Sequence, residues 1–307
     1  MVERTTLRRR ALFAAGLGLM GCGEPPAPDR GRRDPLESLP EAGVVPDVLR
    51  IGVTPSSGKQ SGDFLASLVA YLARELGIEA QAVTADTYDA LGELVASARV
   101  HIGVFSPLAY VKARAGLPAV AIATASRNGS PTYLGYLVAR CHGRPPSLDA
   151  LAGKRVAYVD PSSTSGYLYA RALLRARGHD PDAFFAAPPV FAGNHSSALE
   201  AVLGDRADVA AVADAFVDPS PLNEFSSPRG LCVVAKTSRI PLDCVVVHQS
   251  VRRELARRLR GTLLALANDA EQSRLLASSW GMSGFVEADE RRYNVIAEVL
   301  AASEPPR

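Results

Sequence analysis

Lysine is scarce in this 307-residue chain: its 34 basic residues are almost all arginine, scattered among 32 acidic ones in stretches such as 252–260. A formal charge of +2 spread this way offers no polybasic surface, so nucleic acid is not an expected partner. Long apolar runs are missing where a membrane span would be sought. The run over 11–20 has ten residues, too few to cross a bilayer as a helix. Cysteine is limited to four residues, and Cys141, Cys232 and Cys244 stand at no zinc-like spacing from His195 or His248. No metal or other cofactor is therefore expected. No Gly-Lys-Ser/Thr completes a Walker loop, and no Gly-x-Ser-x-Gly elbow presents a hydrolase nucleophile.

What is present begins with a leader. Arg4 and Arg8, Arg9 and Arg10 precede the apolar run, which ends in Leu19-Met20-Gly21-Cys22. Residues 1–21 read as an export signal, and the small Gly21 before a thiol resembles the bacterial lipobox, in which Cys22 is acylated. The arginine pairs leave a Sec or a twin-arginine route open. The leader carries a net +3, which leaves −1 for the remainder. Residues 23–47 are rich in Pro, Gly and charge without periodicity, and are expected to be a disordered tether from a lipid-anchored Cys22, with folding from Val48. An exported, membrane-anchored location follows. In such an oxidising compartment three cysteines are an odd number, and a Cys232–Cys244 bridge is one pairing the sequence allows.

With 47% hydrophobic residues the chain can bury a large core, and its length suits two compact domains. Short β-branched runs alternate with helical stretches from Val48 onward, the pattern of largely parallel sheets covered by helices. Strands are expected over 48–53, 100–105, 119–124 and 133–139, with helices over 62–76, 86–98 and 107–114. A second series follows Pro145-Pro146: strands over 155–159, 209–212, 231–236 and 244–248, and helices over 165–177, 196–203 and 251–267. The expected architecture is an α/β protein of two lobes joined by two crossovers, with residues 48–137 and 241–307 in lobe one and 138–240 in lobe two. Trp280 and Phe285 read as core anchors.

In open α/β sheets ligands sit beyond the carboxyl ends of the strands, where helix N-termini present free N–H groups. Four turns there are polar: 54–61, Ser106-Pro107, 160–166 and 193–197. The most informative is Asp160-Pro161-Ser162-Ser163-Thr164-Ser165-Gly166, between a strand and a helix. One hydroxyl suffices to cap a helix, and four in a row exceed that need. Gly166 would let the backbone approach a ligand. Donor-rich turns without a cationic cluster suit a dehydrated oxyanion held by directed hydrogen bonds.

This segment resembles the Asp-Pro-Asn-Ser-Thr-Ser-Gly signature of the phosphonate, phosphite and phosphate-binding subunits of ABC importers. Ser106-Pro107-Leu108-Ala109-Tyr110-Val111, Ser130-Pro131-Thr132-Tyr133, Asn194-His195 and Ile240-Pro241-Leu242-Asp243 resemble further family segments, in the family's order. The resemblance implies a two-lobed type II periplasmic-binding fold that captures a small phosphorus oxyanion for an ABC permease and ATPase, as a monomer. It implies that Ser106, Ser163, Thr164, Ser165 and the Gly166 amide hold the oxyanion, with Tyr88 and Tyr133 facing it from lobe one. His195 would donate to it. Asp243 can only accept when ionised, which favours ligands that keep a P–OH and disfavours sulfate. Where aminoalkylphosphonate binders place a Glu for the ligand's ammonium, this chain has Ala215, beside Asp214. The family aromatic at 105 is Phe105, without a hydroxyl.

Two other readings compete. Ser56-Ser57-Gly58-Lys59 fits the Ser-x-x-Lys of acyl-transfer enzymes, but Lys236-Thr237-Ser238 completes no further motif of that class. A receptor of the same fold, reporting a ligand to a sensor without transport, is indistinguishable by sequence.

Overall fold

The computed structural model describes residues 33–55, 60–141, 143–218 and 230–303, with backbone alone for 60–64 and 278–280. Cys22, the Ser56-Ser57-Gly58-Lys59 turn and the Trp280 side chain fall outside the described residues. The first sheet contains β1 (Val48–Val53), β2 (Glu79–Thr84), β3 (Ile102–Phe105), β4 (Ala119–Ser126), β10 (Cys244–His248) and β11 (Gly284–Glu287). Their order is β11-β4-β10-β3-β1-β2. The second sheet contains β5 (Thr132–Arg140), β6 (Arg155–Tyr158), β7 (Ala186–Phe191), β8 (Val209–Ala213) and β9 (Leu231–Pro241), in the order β7-β6-β8-β5-β9. Helices α1 (Gln60–Leu76), α2 (Ala90–Ala96), α3 (Pro107–Ala113), α6 (Arg253–Ala265), α7 (Ala270–Trp280) and α8 (Asn294–Ala301) flank the first sheet. Helices α4 (Tyr169–Ala176) and α5 (His195–Leu203) flank the second.

The two-lobed α/β reading stands, but the sheets are mixed. β1 pairs with β2 and β3 in parallel, whereas β10 and β11 pair antiparallel, as do β5 with β8 and β9. β5 and β10, on which the chain enters a lobe from a crossover, run against the βα units, and the short edge strand β11 runs the same way as β10. Fully buried β8 and β10 read as unbroken apolar runs, as strands covered on both faces should.

Three boundaries move. β5 is one continuous strand whose pairing to β9 begins at Thr132↔Pro241, so the crossovers lie at 127–131 and 242–243, not at 137/138 and 240/241. Folding starts at Pro35, not Val48: Leu36 and Leu39 are buried in the lobe-one core, and Arg253 donates to the carbonyls of Leu39 (2.9 Å) and Glu37 (2.8 Å). Two leucines among prolines and charges carry no periodicity, so the segment read as tether. Cys232 bonds to Cys141, not to Cys244. Pairing of Ala139 with Cys232 sets Cys141 beside it, while Cys244 lies free and buried in the first sheet against Phe105 and Thr124. Phe285 is a core residue, 3% exposed.

Candidate functional site

The parallel strands of both lobes aim their carboxyl ends at the interlobe gap, and the two crossovers bring three sequence-distant groups there. Because Cys244 pairs with Phe105, Asp243 in the second crossover lies beside Ser106 at the end of β3. The crossover is tied down by Leu242 N to Pro131 O (2.8 Å) and Ala125 N to Asp243 O (2.9 Å). Tyr133, near the start of β5, pairs with Ile240 and so stands over the same point.

Lobe two supplies the hydroxyl turn. Asp160 Oδ1 accepts from Ser162 N at 2.7 Å, pinning the turn as it leaves β6. Ser163 is the N-cap of a wide π-type turn over Thr164–Leu168, its Oγ accepting from Gly166 N at 3.2 Å. Ser162, Ser163, Thr164 and Ser165 are all buried.

Tyr88, Tyr133, Ser163, Ser165 and Asp243 form one electrostatic group. Burial first, then the Asp243 charge, push the Tyr88 phenol well above its ordinary range, opposed by the nearby Ser163 side chain. Among the described residues no partner meets the Tyr88 hydroxyl in hydrogen-bond geometry, so Ser163 lies near it without bonding. Tyr133 is raised by burial and by Asp243, and opposed by Ser165. Although part of Asp243 keeps some accessible surface, its carboxyl is enclosed deeply enough that burial lifts its pKa to about 7. Among the described residues no hydrogen bond or ion pair reaches that carboxylate. Thr54 Oγ1, just past β1, is likewise buried without a partner. Buried polar atoms are nearly always paired, so unpaired hydroxyls gathered at strand ends mark a place shaped for a polar ligand.

Other expected residues have different surroundings. Gly166 donates its amide to Ser163, and a Cβ there would meet Val159 Cγ2 at 2.5 Å. Its small size lets the turn close onto the strand end. Thr164 Oγ1 accepts from Leu108 N of lobe one at 2.8 Å. Ser106 caps α3 and reaches Ser162 O at 3.4 Å. His195, first residue of α5, is buried; its Nδ1 accepts from Ala213 N at 3.3 Å and its ring lies 4.8 Å from that of Phe216. Burial lowers its pKa to about 3, so the imidazole is neutral, with its proton on Nε2. No hydrogen bond or charge interaction joins it to the Tyr88–Asp243 group.

Asp214 does not turn toward a ligand. Its carboxylate takes Arg127 Nη2 (3.2 Å) and Leu134 N (3.1 Å), while Arg127 Nε donates to Gly281 O (2.6 Å). Ala215 packs so closely on Gly281 that a Cβ on that glycine would stand 2.7 Å from the Ala215 Cβ. Sequence reasoning named the polar turns that hold Thr54 and Ser162 without assigning either residue to the site, and it passed over Lys112, one of four lysines, which no motif marks out. Among the described residues no group of three His, Cys, Asp or Glu side chains could hold a metal ion.

Two α/β lobes joined by two short crossovers, with buried hydroxyls and one open carboxylate at the gap, have the form of a solute-binding protein. The family model for the periplasmic phosphonate substrate-binding protein of ABC transporters matches residues 51–293, and the chain belongs to that family. Its members are binding proteins of transport systems, not enzymes. The chain is 28% identical over 260 residues to the phosphate-import protein PhnD of Mycolicibacterium smegmatis, covering 80% of this chain and 78% of that one. In fold it is similar to PhnD1 of Prochlorococcus marinus in complex with methylphosphonate (TM-score 0.74, 18% identity, 84% of this chain and 98% of that one). It is also similar to the binding component of an ABC phosphonate transporter from Pseudomonas aeruginosa (TM-score 0.71, 22% identity, 82% and 85%). Binding proteins of ABC importers work outside the cytoplasm, and no helix of the described residues is long and apolar enough to cross a membrane.

Proposed function

We propose that this chain captures a small phosphorus oxyanion, a phosphonate, phosphite or phosphate, between its lobes and delivers it to an ABC permease and ATPase without catalysing a reaction. It acts as a monomer held at the membrane by a lipid on Cys22. The observation that carries this reading is the Asp243 carboxylate, unpaired among the described residues and near enough to the Tyr88 and Tyr133 phenols for its charge to raise both, with Ser163 beside the first phenol and Ser165 beside the second. Hydroxyl donors suit the ionised oxygens of a tetrahedral anion, and a lone acceptor suits the one oxygen that keeps its proton. Neutral His195 adds a donor on the same side of lobe two. Because Asp214 is taken up by Arg127 and Leu134, no carboxylate is left at Ala215 for an ammonium tail, which favours ligands without one.

A thermal-shift screen of oxyanions on the chain from residue 23 onward tests the reading through linkage. Phosphite or methylphosphonate should raise the melting temperature and 2-aminoethylphosphonate should do so less. A shift with sulfate alone, or with no phosphorus anion, overturns it.

A further inference from the structure

Lys112, in the last turn of α3, reaches across the gap between the lobes. Its Nζ donates to Ser162 Oγ, and Asp89 Oδ2 stands 3.9 Å from the same ammonium. Helix α3 makes two more contacts to the hydroxyl turn: Leu108 N donates to Thr164 Oγ1 (2.8 Å) and Ser106 Oγ to Ser162 O (3.4 Å). Lys112, Leu108 and Ser106 belong to lobe one, Ser162 and Thr164 to lobe two, so all three bonds exist only while the lobes are together. The lobe-two ends are dry, with Ser162 0% and Thr164 1% exposed, which strengthens a charge-assisted bond there. The Lys112 side chain is 35% exposed, so its ammonium keeps water on its outer side and its desolvation costs little.

We infer that Lys112 is a positioning residue for closure: with Ser162, and beside the Leu108–Thr164 bond, it forms a clasp by which the protein's own contacts hold the cleft shut. Thr164 Oγ1 accepts in the clasp, which leaves its own hydroxyl proton free to donate into the cleft. A clasp of this kind biases the open–closed equilibrium in any state of the cleft and slows the escape of whatever is enclosed. The inference extends the anion-capture reading, but its first test uses no ligand.

Small-angle X-ray scattering of the ligand-free chain from residue 23 onward should show a larger radius of gyration for Lys112→Met than for the wild type, while Lys112→Arg stays compact. Ser162→Ala should open the chain as well, and the double variant should open it no further than either single one, because both changes remove one bond. In a second arm, methylphosphonate should leave Lys112→Met about tenfold faster in stopped-flow dissociation, the size expected for one charged hydrogen bond. Identical scattering profiles for wild type and Lys112→Met, or a wild type already open, would overturn the clasp. Absence of methylphosphonate binding in every variant would instead count against the capture reading, with the scattering comparison still decisive for the clasp.

Discussion

One aspartate is paired to the first crossover through Arg127 and another lies in the second crossover, and the two have opposite surroundings. Beside the first crossover, Asp214 is filled on both oxygens: Arg127 and the Leu134 amide hold it, and Arg127 goes on to Gly281. In the second, the Asp243 carboxylate has no bonded partner among the described residues, and its charge bears on the Tyr88 and Tyr133 phenols. Burial lifts its pKa to about 7. An acid whose valences are met by protein holds the hinge in shape, whereas an acid left open among donors is available to something that arrives. Tyr88 stands with Asp243 in this division, because its buried hydroxyl has no partner among the described residues.

Substitutions can break this division, and the largest effect is expected at the filled site. Asp214→Ala would strand the Arg127 charge and the Leu134 amide, lowering stability in urea unfolding by about 3 kcal/mol. Anion affinity of the folded fraction should change little, and a large loss would make Asp214 a ligand group after all.

Asp243→Asn is the mirror case: it should weaken phosphite or methylphosphonate by about 2 kcal/mol in calorimetry through loss of the acceptor. Its stability effect depends on pH, and the sign follows from a folded pKa of about 7 against the ordinary 3.8. The folded state then binds more protons than the unfolded chain between those values, so the wild type loses stability as pH rises from about 4 to about 7 and not beyond. Asparagine lacks that loss, and the variant should melt above the ligand-free wild type at pH 8 by circular dichroism. Equal slopes in the two proteins would mean the Asp243 carboxylate is solvated.

Ser163→Ala removes an N-cap and should cost about 1 kcal/mol of stability, with a further loss of affinity. The smallest stability effect belongs to Tyr88→Phe: a hydroxyl with no protein partner can be removed at a change within about 0.5 kcal/mol, while anion affinity falls about tenfold. Clear destabilisation by Tyr88→Phe would show that its hydroxyl had been used by the fold.

Much of this was legible in the sequence because strand and helix periods place turns, and turns hold the site. The hydroxyl run at 162–165 announced itself by exceeding what capping needs, and Asp243, Tyr88 and Tyr133 came with the family pattern. What escaped depends on contacts between segments far apart in the chain. Lys112 looks like any helix lysine until α3 meets the turn after β6, and the bond from the Leu108 amide to Thr164 is visible only once the two lobes meet. Gly166 was matched to a ligand, and the crowding of Val159 against it was not foreseen. The cysteine pairing failed for a related reason: β9 and β10 are neighbours in sequence but belong to different sheets. The four-residue edge strand β11 was too short to carry a pattern of its own.

The central claim is that an ionised Asp243 admits only anions able to donate a proton to it. Calorimetric affinities for sulfate and methylphosphonate, measured between pH 5 and pH 8.5 on one preparation, test this most directly. Methylphosphonate should bind well while it keeps its P–OH and weaken toward pH 8.5 as it becomes a dianion, and sulfate should gain affinity only as pH falls below about 7, where Asp243 takes up a proton and becomes a donor. A ratio of the two affinities that does not vary with pH, or sulfate bound as tightly as methylphosphonate at pH 8, would contradict it.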